Sequence, residues 1–155
     1  IPQSHHKIID RIFRQTGVAI ETDSEGTDKI ADLAEEHSHL QCHVSNRLHL
    51  ADMYIDRCGR DLERVTGHRL KELCQKKIEA INAYLDLTDP AINMMVDILE
   101  RQNYFFVGVF PAHSRPFLVL QYLNNVYIDY DQIAVRDDFA GELLEYVKDR
   151  DPNLD

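Results

Sequence analysis

Positive charge is scarce in this chain: 17 lysines and arginines stand against 27 aspartates and glutamates, a net charge of −10 over 155 residues. Nucleic-acid affinity comes largely from cations that neutralise phosphates, so this balance argues against a nucleic-acid partner. The same deficit argues against an anionic membrane surface. It leaves room for one small basic pocket. No run approaches the roughly 18 apolar residues of a membrane-spanning helix, and no basic start leads into an apolar centre as in a secretory signal. Cysteine is sparse and odd in number: Cys42, Cys58 and Cys74 lie 16 residues apart with no CxxC pair. That argues against a zinc knuckle and for reduced thiols in a cytoplasmic protein. Also missing are a Gly-x-Ser-x-Gly nucleophile elbow, a phosphate-binding P-loop, internal repeats and low-complexity stretches. The first residue is Ile1 rather than Met, so the chain is read as a single domain, residues 1–155, forming the C-terminal segment of a longer protein.

What is present alternates between two periodicities. Ser4 to Gln15 reads as a helix with Ile8, Ile9, Ile12 and Phe13 on one side and Gly17 ending it. Val18-Ala19-Ile20 reads as a short strand. Asp23 to Glu36 reads as an acidic loop with a helical turn at residues 30–34. Leu40–Asn46 and Leu48–Asp56 read as an antiparallel pair around a tight turn at Asn46-Arg47. A helix from Asp61 to Lys77 carries Leu62, Val65, Leu70, Leu73 and Cys74 as its buried stripe. Ala80–Leu87 is the next strand. Asp89 then caps a helix that has Pro90 at its first position, where a missing N–H costs nothing. Ile92, Met95, Val96 and Leu99 follow at i, i+3, i+4 and i+7. Strands at Tyr104–Phe110 and Phe117–Leu123 are joined by residues 111–116. Tyr127–Val135 reads as one more extended piece. Asp137 or Asp138 caps a last helix with Phe139, Leu143, Leu144 and Val147. The order α-β-β-β-α-β-α-β-β-α defines an α/β domain with a mixed sheet and helices on its faces.

Within this order, Phe105-Phe106-x-Gly108-x-x-Pro111 followed by Leu120-Gln121-x-Leu123-Asn124 resembles the closing strands of a GNAT-type acyltransferase domain. The resemblance covers roughly residues 38–123, with an extra C-terminal helix appended. It is similar to the divergent GNAT-like domains of bacterial regulatory proteins, some of which follow an ATP-binding module like that of anti-sigma-factor kinases. The resemblance implies a neighbouring ATP-binding or regulatory domain as partner. For the enzymes of the family it implies acetyl-CoA, with a Gln/Arg-x-x-Gly-x-Gly/Ala loop holding the pyrophosphate on backbone N–H groups and a helix N-terminus. The matching stretch is Arg57-Cys58-Gly59-Arg60-Asp61. One glycine remains, Asp61 sets a negative charge at the helix start, and Arg57, Gly59 and Arg60 are the candidate cofactor-binding residues. A structural turn and a phosphate loop are both open readings. The family's tyrosine acid falls at Leu99 here, and the glycine before its Phe falls at Asn103. Tyr84 is the substitute acid, or else a packing residue.

Other groups stand beside these. His37, His39 and His43 share strand parity and His49 follows, as a metal site would need, although exposed histidines fit as well; His5-His6 read as terminal sequence. Cys58 precedes a helix start, where a thiolate is stabilised. Phe105 and Phe106 with Gln121 and Asn124 define a candidate pocket or docking surface, or else core and backbone capping. Two functions follow from these readings. One is a ligand-sensing or interaction module of a larger cytoplasmic regulatory protein, without acetyltransferase activity. The other is an acyl-CoA N-acyltransferase, its pantetheine arm entering a splay between strands 48–56 and 80–87 and its acceptor a cationic amine drawn by the acidic field.

Overall fold

A computed structural model describes residues 1–17, 26, 29–111 and 115–154. They form an α/β protein: a five-stranded mixed sheet flanked by four α-helices, the last of them C-terminal. The strands are β1 (His39–Ser45), β2 (Leu50–Arg57), β3 (Ala80–Asp86), β4 (Phe105–Pro111) and β5 (Pro116–Leu123). The helices are α1 (His6–Thr16), α2 (Leu62–Gln75), α3 (Ile92–Arg101) and α4 (Asp138–Arg150). Strand order across the sheet is β1-β2-β3-β5-β4. β2 and β3 are parallel and the other neighbours antiparallel. Helix α2 connects the parallel pair, as such a crossover requires.

Alternation along the strands divides the sheet into two unlike faces. Ala51, Met53 and Ile55 of β2, Ile81, Ala83 and Leu85 of β3, and Leu118 and Leu120 of β5 are all buried. Helices α2 and α3 share this core through Leu62, Leu73, Met95 and Leu99. The two helices are also tied together by the Gln102 side chain, whose Nε2 donates to Thr66 Oγ1 at 3.0 Å. The opposite face carries Asp52, Tyr54, Asn82, Tyr84, Phe117, Val119 and Gln121, none of them fully buried. Helix α4 packs along the edge strand β4, which covers an edge that would otherwise offer unpaired backbone groups.

Local signals set the helix ends. Gly17 takes φ 71° and stops α1. Asp89 Oδ1 accepts from Ala91 N–H at 2.8 Å, so Pro90 and Ala91 form a turn and α3 begins at Ile92. Asn103, at φ 69°, closes α3 in the left-handed conformation while Tyr104 N–H donates to Leu99 O at 3.1 Å. Asp137 caps α4 by accepting from Ala140 N–H at 2.7 Å.

Four expectations change. The residues 46–49 form a four-residue turn with His49 at φ 53°, so β2 starts at Leu50 and Leu48 is exposed. In α2 the fully buried stripe runs through Thr66, whose Oγ1 satisfies itself on Leu62 O at 2.7 Å, while Val65, Leu70 and Cys74 are only half-buried. The piece at 127–135 is not a strand: Asp129 Oδ1 accepts from Asp131 N–H at 3.2 Å and starts a 3-10 turn at Tyr130–Gln132. The helical turn expected at 30–34 is a 3-10 turn at Ile30–Asp32. The strand expected at Val18–Ile20, part of the acidic loop and residues 112–114 of the later connection lie outside the described residues.

Candidate functional site

The loop at the end of β2 holds Arg57, Gly59 and Arg60 beside the start of α2, where the resemblance puts a pyrophosphate. Two of its backbone donors are already engaged. Gly59 N–H donates to Ser38 Oγ at 2.8 Å, and Arg60 N–H donates to the Glu35 carbonyl at 3.0 Å. Asp61 Oδ1 accepts from Ser38 N–H at 2.7 Å, and its Oδ2 lies 3.3 Å from His37 Nδ1. The segment 35–38 therefore lies directly on the loop. A Cβ on Gly59 would sit 2.3 Å from His37 C and 2.5 Å from Ser38 N, both backbone atoms. The glycine is there for its own chain to approach, and φ plays no part.

Charge agrees with geometry. Burial works to raise the Asp61 pKa, but the Ser38 N–H, the Ser38 hydroxyl and His37 outweigh it and hold the carboxyl below its usual value. It is anionic where an anion would have to sit. Arg57 pairs with Glu35 at 3.6 Å. The adjoining cavity of about 490 Å³ is lined by Glu35, His37, Ser38, His39, Asp56 and Arg57, two carboxylates against one guanidinium.

The pairing of the two parallel strands ends at Ile55, before Arg57 and this loop. Pairing is continuous from Leu50↔Ala80 to Ile55↔Leu85, so no gap opens for a pantetheine arm along those six pairs. Tyr84 projects from β3 onto the half-open face. Its ring stacks on Tyr54 at 4.4 Å with a 9° interplanar angle, and Phe110 and Phe117 stand edge-on to it. Its hydroxyl donates to Asp52 Oδ1 at 3.3 Å. Burial first, then the Asp52 carboxylate, pushes its pKa up to about 12, which weakens it as a proton donor.

Asp52 anchors a row running straight across the sheet, because Asp52 pairs with Asn82 and Asn82 with Gln121. Asn82 Nδ2 donates to Asp52 Oδ1 at 3.1 Å, and Gln121 Nε2 donates to Asn82 Oδ1 at 2.9 Å. A carboxylate only accepts, so its position fixes the orientation of both amides.

The remaining candidates separate. Phe105 and Phe106 are 2% and 0% exposed and belong to the core, not to a pocket. Being adjacent on a strand, they point to opposite faces, and both faces are covered there. Asn124 Nδ2 donates to Ile78 O at 3.0 Å and Cys74 O at 3.5 Å, so it satisfies backbone beyond α2. Of the four, Gln121 lines a cavity. Cys58 is buried and burial pushes its pKa up to about 11, the reverse of an activated thiolate. His39 Nδ1 lies 3.2 Å from Asp56 Oδ2, and among the described residues no three His, Cys, Asp or Glu side chains are grouped as metal ligands. None of their helices is long and apolar enough to cross a membrane.

Two features escaped the sequence reading. His5 is 3% exposed and not loose terminal sequence. Its Nε2 meets Glu100 Oε1 at 2.5 Å, its Nδ1 meets Tyr146 Oη at 2.7 Å, and its ring stacks on Phe106. The second is an apolar groove of about 540 Å³ between α4, the 128–137 segment and the sheet, with Val107 and Gln121 on its floor. A signal for it existed in the spacing of α4. Phe139, Glu142, Tyr146 and Arg150 form one stripe, which meets Arg11 and His5 of the N-terminal elements. Ala140, Leu143, Leu144 and Val147 form a second stripe, which lines the groove.

No protein family matches this chain in profile comparison, and no curated protein shows significant similarity to it.

Proposed function

We propose that this chain is a divergent GNAT-like interaction or ligand-sensing module of a larger cytoplasmic regulatory protein, without acetyltransferase activity. The observation that carries this reading is the closed loop at residues 57–61. The Gly59 and Arg60 N–H groups are bonded to Ser38 and Glu35, and the Gly59 Cα is pressed on the 37–38 backbone. Donors used internally are not free to hold a pyrophosphate. A Tyr84 hydroxyl made less acidic by its surroundings supports the same reading. The GNAT-like part of it is supported by a parallel pair joined by α2 and closed by an antiparallel β4–β5 pair.

The test is thermal unfolding of the purified chain with and without millimolar acetyl-CoA. A ligand that binds only the folded state stabilises it by about 2.7 kcal/mol at a hundredfold excess over its dissociation constant. The expected result is an unchanged midpoint. A clear upward shift, lost on Arg60→Glu, would overturn this reading in favour of an acyl-CoA-dependent N-acyltransferase acting on an amine.

A further inference from the structure

Resting on that interaction-module reading, we infer that the groove along α4 is the docking site for a basic amphipathic helix of a partner protein. Its size admits the side chains of a few anchors. Its walls are open rather than enclosing: Ile133 and Val135 are 45% and 47% exposed. An open trough takes side chains delivered by a backbone that stays outside, whereas a small molecule gains most where it is surrounded. The apolar lining comes from the second α4 stripe together with Ile128 and Val107. These are aliphatic, and the Tyr130 ring beside them has its hydroxyl committed to Asp151 Oδ2 at 2.7 Å. Aliphatic anchors at i, i+3, i+4 and i+7 of a helix are the matching shape.

The rim specifies the charge of the occupant. Asp137 and Arg136 line the groove, and Asp129, Asp131 and Asp138 are exposed beside lining residues in the chain. Asp129 and Asp137 accept backbone N–H bonds locally, which holds them in place and leaves their charge. Beyond the rim the whole chain carries −10. Lys and Arg flanking the apolar anchors would meet this field, whereas an acidic segment would be repelled. The β4 edge does not offer strand addition instead, since α4 packs along it.

The probes are two synthetic helical peptides with identical leucines at i, i+3, i+4 and i+7, one flanked by lysines and one by glutamates. Binding to the full chain is read by fluorescence anisotropy at low and high salt. The lysine peptide should bind, weaken as salt rises, and exceed the glutamate peptide. Ala140→Arg, which places bulk and positive charge in the groove, should weaken it about tenfold, the scale of a lost central contact. Arg136→Glu, an exposed position, should tighten it. Equal binding of both peptides, no binding of either, or indifference to both substitutions overturns the inference. So does a concentration-dependent dimer abolished by Ala140→Arg, which would make a second copy the occupant. The acetyl-CoA melt is independent of all these outcomes, so the module reading can survive the loss of this site.

Discussion

Replacing Gly59 by alanine is the sharpest test of the closed loop. The added Cβ would lie 2.3 Å from His37 C, 2.5 Å from Ser38 N and 2.7 Å from His37 O. All three are backbone atoms, so no side chain can rotate away. The methyl is admitted only if segment 37–38 withdraws from the loop, which strains the Ser38 bonds to Gly59 and Asp61. Overpacking of this kind costs about 1–3 kcal/mol. For a chain of 155 residues, a loss of about 2 kcal/mol lowers the melting midpoint by roughly 4–8 °C. Gly67→Ala is the internal contrast. Gly67 sits within α2, and its nearest neighbour to a new Cβ is Gln102 Nε2 at 3.8 Å. Alanine there removes the conformational freedom of glycine and should stabilise by about 0.5–1 kcal/mol. The same chemical change should thus give opposite signs at two sites. Thermal and urea melts of both variants decide it: a Gly59→Ala protein as stable as the parent would mean that segment 35–38 does not rest on the loop, and its N–H groups would be open to phosphates.

Three further outcomes follow from the side-chain environments. His5→Ala should lose about 1–3 kcal/mol in urea unfolding, because Glu100 and Tyr146 lose their common partner at the packed face of Phe106; an unchanged midpoint would show that the N-terminal elements are not anchored there. Cys58, with its pKa pushed to about 11 by burial, should hold roughly one thiolate per thousand at pH 8 and resist iodoacetamide in the native state; rapid labelling seen by mass spectrometry would refute its burial. Tyr84 should ionise near pH 12, about two units above a free tyrosine. Because its folded pKa is raised, its contribution to stability is intact below pH ~10 and is lost as pH rises towards ~12. Phenolate absorbance compared with Tyr84→Phe reads it, and titration near pH 10 would contradict the stacked, carboxylate-facing environment.

Periodic segments were legible, and contacts between distant segments were not. Ile92, Met95, Val96 and Leu99 spaced at i, i+3, i+4 and i+7 forecast a helix whose stripe is now fully buried. The strand read at Ala80–Leu87 is β3, where Ile81, Ala83 and Leu85 are buried and Asn82 and Tyr84 are not. The doublet Phe105-Phe106 reads as pocket or as core, because nothing local reveals that both sides of β4 are covered there. The loop was ambiguous for a similar reason. Its glycine is required by Ser38, 21 residues away in the chain, and no spacing rule connects the two. Tyr130–Gln132 carried its own signal in Asp129 and Asp131, whose turn chemistry outweighs the β-branched and aromatic residues around them. The two stripes of α4 were visible in principle, but only the apolar one reads as a stripe, since the other mixes Phe139, Glu142, Tyr146 and Arg150.

The amide row across the sheet bears on how the chain finds its fold. Strands β2 and β3 are parallel and separated by a whole helix, so their register is set by no turn, and a slip of one residue would exchange their two faces. In such a slip Asp52 would point into the helical layer beside Met95 and Leu99, while Met53 would face water. A shift of two residues would keep the faces but part Asp52 from Asn82. Only the native alignment lets one carboxylate orient two successive amides across three strands. The row thus acts as a latch on alignment, and misaligned sheets carry both a hydrophobic and a polar penalty before the helices dock.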